Sequence, residues 1–250
     1  MSHINEKFAE RLVDAPRALI QENDSAATNR LIMLFDEIEF DSVKRICDVG
    51  SRFLEQTMEM SYIFPEAELY AFEPVPGSFQ TCLDNKNKLA PEYRDRISIY
   101  NVAVGESNQE ITFHEVDDTG SDHNVGASSK YKFIPGLNGS FFDKHWNQRE
   151  IKVQQVTLDA WRQENNIGLI DLLWVDAQGS ELDVFKGAVE TLRDVKVILT
   201  EVGLEAYYQG QSLKPQIDEF LKSQGFRELE NGFKQNFKYE GDTIYVRDTK

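Results

Sequence analysis

Four acidic side chains, Asp48, Glu73, Asp176 and Glu201, stand at or near the ends of short apolar runs over residues 45–49, 68–73, 172–175 and 195–202. Runs of this kind form strands buried on both faces of a parallel sheet. Carboxylates gathered at strand tips can accept hydroxyl and amino donors, balance a cation, or take a proton from a reacting hydroxyl. Like charges held close together raise one another's pKa, so such a set needs a cationic or donor-rich partner. A sulfonium and an amino group would serve. A metal would serve too, but no His-x-His or carboxylate–histidine spacing supports one, and no metal site is expected.

The surroundings of each acid narrow the chemistry. Asp48-Val49-Gly50-Ser51 closes the first run, and Gly50 allows a ligand to approach the backbone closely. The stretch is not a phosphate-binding Walker loop, which needs Gly-Lys-Ser/Thr. It is not GxGxxG either, because Leu54 stands where a further glycine belongs. Glu73-Pro74 follows 25 residues after Asp48, at the next strand end, where an acid can accept both hydroxyls of a ribose. Asn101-Val102-Ala103 ends the third run with small residues suited to the face of an adenine ring. Asp176 and Gln178 end the fourth run and Glu201 lies in the fifth. His114, His123 and His145 lie in or near a long polar loop, and of these His123 is an outside candidate for a base. Each acid and histidine also has a plainer reading, as an exposed strand end, a tight turn or a surface residue.

These residues need elements to hold them. Strands over 45–49, 68–73 and 97–104 alternate with helices over about 51–64 and 76–89, punctuated by Pro65, Pro74 and Pro76. That alternation predicts a Rossmann-like, mostly parallel α/β sheet. It is interrupted at about 105–157 by two alternating strands, 110–116 and 151–157, around a polar loop at 117–150. Phe141, Phe142 and Trp146 in that loop suit an acceptor wall or lid. A helix at 158–165 restores the order. Ser180 with Asp183 has the form of a capping box, and Leu182, Phe185, Val189 and Leu192 continue at helical spacing. A helix at 215–224 and strands at 226–230 and 242–247 follow, with Glu240-Gly241-Asp242 read as the turn of an antiparallel hairpin. Residues 1–40 read as a helical extension with apolar stripes at Phe8, Leu12, Leu19, Ile20 and at Leu31, Leu34, Phe35, Ile38, the second after a Ser25 cap. These stripes would pack on the sheet as a cap, or form a lid or homodimer contact. The division is an extension at 1–40 and a single domain at 41–250 carrying the insertion.

Composition excludes some partners. With 27 basic and 43 acidic residues the formal charge is −16, and no Lys/Arg cluster interrupts it. Such a field repels phosphate backbones and anionic bilayers, so neither nucleic acid nor membrane is an expected partner. The N-terminus has no signal-peptide core, and Cys47 and Cys82 make neither a disulfide framework nor a metal site. A cytoplasmic setting is the simplest expectation.

Taken together, Asp176-x-Gln178-Gly179-x-Glu181 followed by Lys186-Gly187-Ala188, with AFEP about a hundred residues earlier and VTLDAW just upstream, resembles the FkbM-type methyltransferases. The resemblance runs from about Ile46 to Val202. It implies S-adenosyl-L-methionine as cofactor and methylation of a hydroxyl on a sugar or natural-product acceptor. Carried over by position, it implies Asp48, Gly50 and Ser51 in the first cofactor motif, Glu73-Pro74 at the ribose and Asn101, Val102, Ala103 beside the adenine. Ser128-Ser129 match a serine-containing loop. Asp176 and Gln178 join the cofactor set, and Asp176, Glu201 and His123 are the candidate bases. Two departures are Leu54 in place of the second glycine and Trp174 in place of a lysine. The first motivates a non-catalytic binding or scaffolding module as the alternative. A nicotinamide-dependent dehydrogenase is a third reading, opposed by the missing GxGxxG and the terminal hairpin.

Overall fold

The computed structural model describes residues 26–34, 37–116, 125–136 and 147–248. The apolar runs become strands. In chain order these are β1 (Arg45–Val49), β2 (Glu68–Phe72), β3 (Ile97–Tyr100), β4 (Ala103–Val104), β5 (Gln109–Val116), β6 (Gln148–Val156), β7 (Leu172–Val175), β8 (Val197–Gly203), β9 (Phe226–Glu228), β10 (Lys234–Gln235) and β11 (Glu240–Arg247). The helices are α1 (Ala26–Leu31), α2 (Glu55–Ile63), α3 (Pro76–Asn87), α4 (Pro91–Arg94), α5 (Leu158–Glu164), α6 (Glu181–Lys186), α7 (Val189–Leu192) and α8 (Lys214–Ser223).

The main sheet runs β3-β2-β1-β7-β8-β11, the first five strands parallel and β11 antiparallel to β8; β9 and β10 both pair antiparallel with β11. The order reverses between β1 and β7, so a crevice opens there at the carboxyl ends of the strands. Both faces are covered. Leu31, Leu34, Leu54, Met60 and Ile63 pack on one face against Ile46, Leu69 and Trp174. Trp161, Phe185, Leu192 and Ile217 pack on the other against Phe72, Leu173 and Ile198. Each such side chain contributes roughly 1.5–3 kcal/mol by leaving water. Leu31 and Leu34 therefore cap the sheet, as the second apolar stripe suggests. Residues 1–25 and 35–36, with the first stripe, Ser25 and Phe35, lie outside the described residues. Among the described residues no helix is long and apolar enough to cross a membrane.

Four expectations need correction. The run 97–104 is not one strand. It breaks at Asn101, whose Nδ2 donates to the carbonyls of Glu73 (2.8 Å) and Pro74 (3.1 Å) and turns the chain away. β4 then pairs with β6 in a separate sheet of order β4-β6-β5. The helix after Ser180 is two short helices broken at Gly187-Ala188. A side chain at Gly187 would meet the carbonyl oxygen of Gly105 at 2.0 Å, so the contact with the insertion's start requires glycine. Ser180 and Asp183 form no capping box: the Ser180 hydroxyl donates to Ala177 O (2.8 Å), while Asp183 accepts from Lys130 Nζ and Tyr131 OH (both 2.6 Å). Finally, Glu240-Gly241-Asp242 is strand, and the turn lies at 236–239. Gly241 lets β10 approach, since a Cβ there would meet Lys234 O at 2.6 Å.

Candidate functional site

At the carboxyl end of the sheet lies a cavity of about 730 Å³. Gly50, Glu73, Pro74, Val102, Ala103, Asp176, Gln178 and Glu201 all line it. The opposite wall comes from the insertion (Phe113, Ala127, Ser128, Lys130), from Tyr207, and from residues 237–239 in the hairpin turn with Glu240 at the start of β11. Three expected residues stand behind the wall. Asp48 and Ser51 are buried under the first turn, and Asn101 braces the β2 tip from outside. Gly50 and Arg52 form the cavity surface beside them. His123, Phe141, Phe142, His145 and Trp146 lie outside the described residues. His114 is buried in β5, bridged to Ser129, and burial foremost lowers its pKa, which is the behaviour of a core histidine.

The first half of the site is built by β1 and β2. Gly50 has φ 87°, and a Cβ on it would stand 1.8 Å from the Asp176 carbonyl oxygen, so only glycine fits. The Gly50 and Ser51 amides both donate to Phe72 O (3.0 and 3.1 Å), clamping the turn to β2. Leu54 adopts φ 77° at the start of α2, the left-handed conformation that a second glycine would supply freely. Its strain, of order 1–3 kcal/mol, is offset by complete burial in the core. Glu73 Oε1 accepts from Val75 N (2.8 Å) and Oε2 from Arg52 N (2.9 Å), so this acid holds both flanking loops. Burial nevertheless pushes its pKa up to about 8. Asp48 takes a hydrogen bond from Thr57 Oγ1, its Oδ1 meets no donor among the described residues, and burial pushes its pKa up to about 7.

The second half is built by β7, β8 and α6. Gln178, left-handed at φ 48°, donates Nε2 to Asp176 Oδ1 (2.6 Å) and Glu201 Oε2 (3.2 Å). Tyr208 OH contacts Gln178 Oε1 at 3.1 Å, which orients the amide, and Ser129 Oγ donates to the Gln178 carbonyl (2.6 Å). Glu181 Oε1 accepts from the amides of Ala177 (3.1 Å) and Gly179 (3.0 Å). Burial pushes Glu181 up to about 8 and raises Asp176 and Glu201, Glu201 further through Asp176 beside it. Nothing in the sequence marks Tyr207, Tyr208, Lys130 or Glu240 as belonging to the site. Tyr208 is held by an isolated bridge to Phe133, and Glu240 stands at the first residue of β11, next to the displaced turn. Glu181 was legible only as the last residue of the D-x-Q-G-x-E stretch.

A parallel sheet that reverses at β1/β7, ends in an antiparallel hairpin and opens a cavity at the switch point defines the Rossmann-like class I methyltransferase architecture. The Methyltransferase FkbM domain matches residues 48–228, and the chain belongs to that family. The 2-O-methyltransferase NoeI of Sinorhizobium fredii is 30% identical over 168 residues, a match spanning 66% of this chain and 66% of that protein. Two solved structures, both with bound S-adenosyl-L-methionine or SAM, are similar at low identity. Aeropyrum pernix fibrillarin has 12% identity and TM-score 0.49, covering 89% of this chain and 74% of its own. The magnesium protoporphyrin IX methyltransferase of Synechocystis has 10% identity and TM-score 0.48, covering 99% and 92%. Likeness of that degree carries no argument about chemistry. Family membership displaces the dehydrogenase reading, and the left-handed Leu54 answers the observation that motivated a scaffolding module.

Proposed function

We propose that the protein transfers the methyl group of S-adenosyl-L-methionine to a hydroxyl oxygen of a saccharide or natural-product acceptor. The observation that carries this is the convergence of Gly50 and Glu73 with Asp176 and Glu201 on one cavity. The cradle fits the cofactor, because the Gly50 turn lines the cavity beside Glu73 and Glu73 retains lone pairs beyond its two amide bonds. Glu73 would hold the ribose hydroxyls, while Val102 and Ala103 would flank the adenine. When bound, the cofactor supplies an electrophilic methyl on a cationic sulfur. The enzyme's own residues must then align the acceptor, exclude water and accept one proton from its hydroxyl. Asp176 and Glu201 are our candidates to take that proton, since both line the cavity; burial raises the pKa of each, which makes the ionised carboxylate a stronger base. The name of the Sinorhizobium relative supports an oxygen acceptor.

The test combines calorimetric binding of S-adenosyl-L-methionine with mass-spectrometric detection of labelled methyl on a panel of saccharides and polyketides. Saturable cofactor binding with label on a hydroxyl supports the reading. Absence of cofactor binding at physiological concentration would refute it.

A further inference from the structure

Asp176, Glu181 and Glu201 each offer one carboxylate oxygen within 4.8 Å of the others. Among the described residues, each of them has a protein donor on one oxygen only. Gln178 Nε2 serves Asp176 Oδ1 and Glu201 Oε2, and two backbone amides serve Glu181 Oε1. Glu181 is 1% exposed, and its Oε2 meets no donor among the described residues. None of the three acids forms a salt bridge among the described residues. A buried acceptor left without a donor costs about 1–3 kcal/mol, and crowding by two further carboxylates adds repulsion. A positive charge at their common centre removes both costs.

We propose that Asp176, Glu181 and Glu201 form a site for one hard divalent cation, open on its cavity side. An all-oxygen donor set selects Mg²⁺, Mn²⁺ or Ca²⁺ over the nitrogen- and sulfur-seeking metals. The 4.8 Å spread is twice a Ca²⁺–oxygen distance of about 2.4 Å. A smaller ion needs the side chains to close by a few tenths of an ångström. Asp176 and Glu201 line the cavity while Glu181 lies beneath, so the remaining coordination positions face the space for the acceptor. A hydroxyl bound there would lose its proton more readily. The sequence gives little sign of this set, since it contains no histidine and its members lie on a strand tip, a helix start and the neighbouring strand. Its meaning for catalysis rests on the methyl-transfer reading, whereas its existence does not.

The experiment titrates the chelator-treated full chain with Mn²⁺, following free ion by electron paramagnetic resonance, and measures S-adenosyl-L-methionine binding on the same samples. One saturable Mn²⁺ per chain is expected, with affinity falling roughly tenfold or more in Glu181→Gln and in Glu201→Gln. The exposed Glu205→Gln should leave it unchanged. Circular dichroism checks that the variants fold; Glu201→Gln stands in should Glu181→Gln not. Protein that binds the cofactor but no Mn²⁺ up to millimolar concentration would overturn the site and spare the methyl-transfer reading. Binding equally tight in both variants would also overturn it. Mn²⁺ held at these acids by protein that binds no S-adenosyl-L-methionine would keep the site and remove the methyl-transfer reading.

Discussion

Glu73 at the tip of β2 accepts from two backbone amides of its own, those of Arg52 and Val75, whereas Glu201 in β8 accepts from one side-chain amide that it shares with Asp176. Both acids line one cavity and both are shifted upward by burial. The first half is thus locked by the fold before any ligand arrives. The second half crowds three carboxyl groups together, and one oxygen of Glu181 meets no donor among the described residues. A preformed, internally satisfied surface suits a ligand that is the same in every turnover. A surface with spare acceptors suits groups that must lose a proton or gain positive charge during the reaction.

The locked half should be the more fragile to a small change. Gly50→Ala puts a methyl into the Asp176 carbonyl and forces an L side chain to φ 87°. Loss of about 2–4 kcal/mol of stability and loss of detectable cofactor binding are expected, by urea unfolding and calorimetry. A variant with normal affinity would mean that the turn is looser than its geometry. Next in size, Glu73→Ala should weaken cofactor binding by roughly 1–3 kcal/mol, or about 5- to 150-fold. Unchanged affinity would remove the ribose assignment and leave Glu73 as a loop clamp alone. In the other half, Asp176→Asn should abolish methyl transfer yet leave the folded protein intact, since an amide still meets Gln178. A fully active variant would discard Asp176 as base or clamp.

The two halves were unequally legible. The buried strands and their order follow from apolar runs and alternating helices, and Gly50, Glu73, Asp176 and Glu201 follow from their positions at strand tips. What the pattern missed depends on long-range approach. The break at Asn101 comes from its bond to the Glu73 carbonyl, and the break at Gly187 from contact with Gly105. Asp183 left its expected cap for Lys130 and Tyr131 in the insertion, more than fifty residues away. Gly241 reads locally as a turn but serves a close strand pair. Tyr208 reaches Gln178 from a loop with no periodicity to mark it, and Glu240 lies at the first position of β11, which reads locally as a turn.

A pH titration sharpens the contrast without mutation. Glu73 in the folded protein is raised from 4.5 to about 8 by burial, so the folded state holds a proton that the unfolded chain has released over that interval. Stability of the ligand-free protein should therefore fall as pH rises from about 4.5 to 8, the sign opposite to a salt-bridged acid. Glu201 and Glu181 act in the same direction. Glu201→Gln removes one such proton and should flatten the urea midpoint against pH. An unchanged slope would show that Glu201 is compensated after all.

The smallest effect concerns Leu54. Replacing it by glycine relieves the left-handed strain, worth about 1 kcal/mol or more, but removes a fully buried leucine from the core beside Met60 and Ile63. Loss of such a side chain costs about 2–5 kcal/mol, so burial wins and Leu54→Gly should be less stable by roughly 1–3 kcal/mol. Leu54 does not line the cavity, and its backbone conformation is one that glycine adopts freely. Cofactor affinity should accordingly stay within about threefold, a change under 1 kcal/mol, while the melting temperature drops. A large gain in affinity would mean instead that the leucine distorts the Gly50 turn, and the locked half would then be a compromise between core packing and ligand fit.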